Sequence, residues 1–100
     1  MERPEVKIFP AAQDDLREIV EYLNTLSPDA AVRYFDLIVE KVGSLAIMPE
    51  RCPLAKDVQL RLRGYRTLVI EKYIVFCVVK NGVVEIRRIL YAKRQYEGLL

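Results

Sequence analysis

The apolar and polar positions change period several times along the chain, and each change marks an element. Glu5 to Phe9 sets Val6 and Ile8 against Lys7 and Phe9, the alternation of a short strand, which Pro10 stops. From Ala12 onward Leu16, Ile19, Val20 and Leu23 recur three or four apart, with Asp14, Arg17, Glu18 and Glu21 on the other side. That spacing predicts an amphipathic helix from about Pro10 to Thr25. Asp14 and Asp15 suit its start, where negative charge meets the positive end of the helix dipole.

A second helix is signalled by Ser27 as N-cap, Pro28 at the first helical position and Asp29 after it. Ala31, Phe35, Ile38, Val42 and Leu45 form its apolar stripe, widened by Tyr34 and Ala46. Gly43 costs its last turns about 1 kcal/mol relative to alanine, and Pro49 is expected to end it. The link between the helices is so short that they must pack as an antiparallel hairpin. Pro49 to Asp57 is a polar loop punctuated by proline. The period then becomes two: Val58, Leu60 and Leu62 alternate with Gln59, Arg61 and Arg63, an expected edge strand or extended lead-in broken by Gly64.

Tyr65–Ile70, Tyr73–Val79 and Val83–Leu90 are rich in β-branched and aromatic residues and read as strands. Glu71-Lys72 and Asn81-Gly82 separate them, and Asn-Gly between such runs is a strong hairpin signal. The middle run is apolar on both faces, as a central strand is. The expected fold class is α+β: an N-terminal strand, an antiparallel helix hairpin packed on a mainly antiparallel sheet of about four strands, and a short C-terminal tail or helix. The hairpin should cover one sheet face and leave the other partly open. At 100 residues, 52% of them hydrophobic, the chain has room for one core and one domain.

The longest apolar run, Tyr73 to Val79, is far shorter than the roughly 20 residues of a membrane helix. The first ten residues carry Glu2, Arg3, Glu5 and Lys7 with no apolar signal core, so a cytoplasmic protein without membrane partner is expected. Histidine is absent, which excludes a histidine general base, a histidine metal centre and the usual Ser-His or Cys-His nucleophile pairs. Cys52 and Cys77 are too few and too far apart for a metal site or disulfide framework. Cys77 reads as a small buried hydrophobe, Cys52 as an ordinary thiol in a loop where exposure is open to it. No cofactor or metal is expected.

The net charge of +2 conceals a polarity: residues 1–50 sum to −5 and residues 51–100 to +7. Either acidic helices face a basic sheet, or the second half carries a basic surface for a polyanion or an acidic partner. Arg61, Arg63, Arg66, Arg87, Arg88, Lys93 and Arg94 concentrate there, interspersed with Tyr65, Tyr73, Tyr91 and Tyr96. Guanidinium groups bind phosphate in bidentate fashion and tyrosine stacks on bases, but surface arginine and tyrosine also serve sheets that bind nothing. Arg87 and Arg88 point to opposite faces of a regular strand, so at least one leaves the core side unless the strand bulges. The carboxylates offer no acid/base pair, and Asp14 and Glu18 belong to the solvated side of a helix.

Over nearly its whole length the chain resembles the RelE/ParE toxin superfamily, in its ParE-like, plasmid-stabilisation branch. The matching residues are Ala12, Asp15-Leu16, Ile19 and Tyr22; Ser27-Pro28-Asp29-Ala30; Leu45 and Pro49-Glu50-Arg51; Gly64-Tyr65-Arg66 with Leu68 and Val69; and Tyr73, Ile74 and Phe76. The run Val84 to Tyr96 with Leu99-Leu100 is similar to the family's Arg-aliphatic-Leu-(His or Tyr) ending and basic-aromatic tail.

The resemblance implies a growth-inhibiting toxin of a type II toxin–antitoxin system, neutralised by a cognate antitoxin whose C-terminal segment lies along the helix hairpin and sheet. RelE-like members cut ribosome-bound mRNA without metal, whereas ParE-like members poison DNA gyrase. If the chain is a nuclease, the resemblance implies Arg66, Arg88 and Tyr91 as catalytic residues. Arg61, Arg63, Arg87, Lys93, Arg94 and Tyr96 are then the nucleic-acid or target contacts. The chain departs from the pattern at Ala92 and Gln95, where Gly and Asp are common, and its loop offers only Lys56 and Asp57 where others place a lysine cluster or a glutamate base. These departures and the modest charge favour the gyrase alternative over the nuclease; an inactive member that only binds an antitoxin is the third reading.

Overall fold

The computed structural model describes residues 5–48, 50–93 and 98–100. Its elements are β1 (Glu5–Ile8), α1 (Pro10–Leu26), α2 (Pro28–Gly43), a 3-10 turn (Ser44–Ala46), α3 (Val58–Leu62), β2 (Tyr65–Ile70), β3 (Tyr73–Lys80) and β4 (Val83–Tyr91). The four strands form one sheet in the order β1-β4-β3-β2, antiparallel except for the parallel pair β1/β4. The helix hairpin supplies the crossover that parallel pairing needs.

Ser27 alone joins the two long helices. Its N–H donates to Leu23 O at 2.8 Å, closing α1. Its extended backbone reverses the chain, and its Oγ accepts the Ala30 N–H at 3.3 Å, opening α2. The helix ends at Gly43, ahead of Pro49, which lies outside the described residues. Phe35, expected on the buried stripe, is exposed instead, and Tyr34 is buried in its place. Tyr34 packs edge-on to Tyr73 with ring centroids 5.7 Å apart, which turns the neighbouring position outward by one helical step.

Asn81 and Gly82 both take positive φ, 51° and 75°, the geometry of the tight two-residue hairpin that Asn-Gly favours. On the next strand the register slips: Cys77 opposes Ile86 but Phe76 opposes Arg88, leaving Arg87 as the extra residue of a β-bulge. The bulge reverses the side-chain alternation of β4. Val84 and Ile86 before it and Ile89 after it therefore all enter the core beneath the helices.

That first core joins Ala12, Ile38, Val42 and Leu45 of the helical layer to Val75, Cys77, Val84, Ile86 and Ile89 of the sheet. The opposite sheet face, expected to be partly open, is covered by a second core. There Leu60 of α3, Ala55 of the loop and the tail residues Leu99 and Leu100 pack on Tyr65, Phe76, Val78 and Leu90. Each fully buried side chain of this size contributes about 1.5–3 kcal/mol, enough to hold a short helix that has little stability alone.

Residues 58–62 are helical, not the edge strand or lead-in that their alternation suggested. Asp57 caps the turn by accepting the Leu60 N–H at 3.0 Å. Gly64, at φ +82°, ends it in the left-handed conformation that suits glycine. Only Leu60 of the three aliphatic residues is buried; Val58 and Leu62 are exposed. The β2 edge is covered in turn by the preceding loop, through Ala55 N–H to Tyr65 O at 2.9 Å and Thr67 N–H to Pro53 O at 3.1 Å.

Both cysteines are buried, Cys52 included. Loss of hydration pushes the Cys77 thiol up from 9.0 to about 12. The unfolded chain ionises this thiol near its ordinary value and the folded chain does not. The stability it confers is therefore complete below pH 9 and is lost as pH rises toward 12. Urea midpoints measured between pH 8 and 10.5 should fall, and fall less steeply in Cys77→Ala. Neither thiol should react with a disulfide reagent in the native protein at pH 8, whereas both should react in urea. Rapid native labelling would contradict this packing.

Candidate functional site

Arg66, Arg88 and Tyr91 do not form one constellation. Arg66 pairs across the sheet with Cys77, on the helix side, and its Nη1 donates to Cys52 O at 2.7 Å and Glu50 O at 3.4 Å. It fastens the loop. Tyr91 lies at the far end of β4, its ring 6.0 Å from that of Tyr73.

Arg88 is held most firmly. Its Nε donates to Asp15 Oδ2 at 2.7 Å, its Nη2 to Asp15 Oδ1 at 2.8 Å and its Nη1 to Leu99 O at 2.9 Å. Asp15 Oδ2 also accepts the Ile89 N–H at 2.9 Å. The reason lies in the topology. β1 pairs with β4 only as far as Ile86, and Phe9 N–H to Ile86 O at 2.9 Å is the last main-chain bond between them. Beyond that point the edge of β4 faces α1, and the carboxylate of Asp15 takes the place of a neighbouring strand. Asp15 is 6% exposed, and the side chain of Arg88 is 17% exposed. The hydrogen bond to Asp15 raises the arginine above its ordinary pKa despite the opposing effect of burial, so it stays charged.

The other basic residues are similarly occupied or outward. Arg61 donates to Ala55 O at 3.0 Å and Lys56 O at 2.8 Å, pinning α3 to the loop. Arg63 lies over the Tyr65 ring at 5.2 Å and donates to Leu100 O at 3.3 Å. Arg87, carried off the helix side by the bulge, binds Glu85 Oε1 at 2.6 Å and lies 4.7 Å from the centroid of Phe9. Lys93 is exposed, while Arg94 and Tyr96 lie outside the described residues.

One concave feature of the surface is a groove of about 530 Å³ between the second half of α1 and the end of the sheet. Tyr22, Leu23 and Leu26 form one wall, Tyr34 and Tyr73 the floor, and Leu90 and Tyr91 the other wall, with Asp15, Glu18 and Lys72 among the residues at the margins. Burial, then the neighbouring Tyr34, Tyr91 and Tyr22, raise the Tyr73 phenol, so it is neutral near pH 7. An apolar cleft with phenolic hydroxyls suits a peptide segment, as either a helix or an extended chain. Among the described residues no group of acidic or cysteine side chains is placed to hold a metal, and no helix is long and apolar enough to cross a membrane.

Asp15 is the residue that sequence reasoning placed wrongly, as a favourable charge at a helix start. The signal was present: with Ala12 and Ile19 it falls on the apolar stripe, at spacings of three and four. A carboxylate there must find a buried partner.

No individually curated protein matches the chain in sequence. Among solved structures it is similar to a chain of the chromosomal ParDE TA system from P. aeruginosa. The TM-score is 0.76 and the identity 24%, over 89% of this chain and 96% of that one. This likeness agrees with the strand, helix pair and four-stranded sheet described above. The model of the family described as ParE toxin of type II toxin-antitoxin system, parDE, matches residues 6–96. The chain belongs to that ParE toxin family.

Proposed function

We propose that the protein is a growth-inhibiting toxin that disables DNA gyrase by protein–protein contact and is silenced by a cognate antitoxin. The observation that carries this reading is the state of the two arginines a nuclease would need. Arg66 is bound to main-chain carbonyls and Arg88 to Asp15 and Leu99. A guanidinium that steadies a transition-state phosphate must have its donors free to face it. With no histidine in the chain, a proton carrier of the usual kind is missing as well. The antitoxin segment is assigned to the tyrosine-walled groove, which offers apolar burial and phenolic hydroxyls together.

Supercoiling by purified gyrase should fall as the protein is added and recover when the co-expressed antitoxin is supplied. Unchanged supercoiling at excess protein would remove the gyrase reading. Site-specific cleavage of ribosome-bound mRNA, lost in Arg66→Ala, would establish the nuclease reading in its place.

A further inference from the structure

α3 is a helix of 5 residues that buries one aliphatic side chain and exposes two others. Leu60 enters the second core, while Val58 is 63% exposed and Leu62 is 81% exposed. The latter two stand one turn apart on the same side of the helix. Leu54, 44% exposed, precedes them on the loop to which Arg61 pins α3. Packing of the domain does not require any of the three to be apolar.

Arg51, Lys56, Arg61 and Arg63 accompany this ridge and are all exposed. The acids in the same stretch are Glu50 and Asp57, and Asp57 is committed to capping the helix. An aliphatic centre with a cationic rim has the composition of a protein-binding patch. It does not suit nucleic acid: the centre offers aliphatic groups where base stacking needs aromatic rings, and two of the four cations already donate to main-chain carbonyls. The ridge carries no lining residue of the tyrosine-walled groove. A chain held in that groove therefore need not cover it.

We infer that the α3 ridge, centred on Val58 and Leu62, is the surface by which the toxin grips its target, and that the target presents an acidic protein surface with an apolar centre. The assignment rests on the reading of the chain as a toxin acting by protein contact. It extends that reading by separating the surface that attacks from the groove that is silenced.

The test compares the full chain with Val58→Glu/Leu62→Glu, and with Val32→Glu as an exposed aliphatic control on α2. All three are induced at equal cellular levels and scored by colony counts. Because these side chains are exposed, the variants should keep the urea midpoint of the parent and should co-purify with the antitoxin. The ridge variant should be at least roughly tenfold less toxic than the parent, the loss expected when central contacts of an interface are reversed. Val32→Glu should be as toxic as the parent. Full toxicity of the ridge variant overturns the proposal, and so does loss of its antitoxin complex, which would give the ridge to the antitoxin. A parent chain that arrests growth without affecting supercoiling removes gyrase as target, and the same colony counts still judge the ridge. A parent chain that does not arrest growth overturns both.

Discussion

Asp15→Ala should lower the unfolding free energy by about 3–5 kcal/mol and the thermal midpoint by more than roughly 10 °C. The loss is large because one carboxylate serves three donors: two N–H groups of Arg88 and the main-chain N–H of Ile89. Removing it leaves a charged guanidinium in a largely buried position and an unpaired N–H on the edge of β4. Arg88→Ala should cost a similar amount, since it strands the carboxylate and frees Leu99 O. Asp15→Leu combined with Arg88→Met should recover more than half of the loss, because removing both charges also removes the cost of burying them. Urea unfolding of the four proteins is the measurement. A deficit under about 1 kcal/mol for Asp15→Ala would mean that the pair is solvated in practice and does not organise the edge.

Phe76→Ala should cost about 3–5 kcal/mol, the range for an aromatic ring removed from a close-packed interior. Phe76 is 1% exposed and sits in the second core with Leu60, Leu90 and the tail residues. Its loss should do more than destabilise. The tail and α3 are held mainly by that core, so amide exchange at Leu60 and Leu99 should accelerate more than exchange at Ile38 beneath the helices. Uniform acceleration at all three would show that the two cores open together. Phe76 opposes Arg88 across the strands, and Arg88 holds Leu99. The two substitutions should therefore combine with a coupling of at least about 0.5 kcal/mol, as neighbours in one network do.

Much of this architecture was legible in the sequence because local signals agreed with global packing. Ser27-Pro28-Asp29 announced α2, Asn81-Gly82 the last hairpin, and the uniformly apolar Tyr73–Val79 an interior strand. α3 was misread because Val58, Leu60 and Leu62 imitate strand alternation. The better signal was the bracket around them, an Asp57 cap and a Gly64 stop, which fits one and a half turns of helix and nothing longer. The covered second face has no local signal, because its lid comes from segments distant in the sequence. Leu60 and Leu99 meet only once the sheet exists.

The candidate site was less legible for a related reason. Seven arginines and lysines in the second half of the chain looked like a common electrostatic surface. Arg61, Arg63, Arg66, Arg87 and Arg88 proved to be fasteners instead, each bound to a carbonyl or carboxylate that the sequence does not place beside it. Residue type reports what a side chain can bind; only the fold reports what it has already bound. The groove is illegible in the sequence for the opposite reason. Its tyrosines, Tyr22, Tyr34, Tyr73 and Tyr91, are scattered over four elements or their ends and form a wall only in space.

The extra residue in β4 carries a final consequence. Ahead of Arg87 the even-numbered side chains Val84 and Ile86 go inward, and beyond it the odd-numbered Ile89 does. A homologue shorter by this one residue would run in plain alternation instead, with Ile86, Arg88 and Ile89 still opposite Cys77, Phe76 and Val75 and the same aliphatic side chains inward. What it would lose is the kink, and with it the guanidinium that reaches Glu85 and Phe9. Arg87 is thus the residue of this stretch whose removal leaves the buried side chains in place.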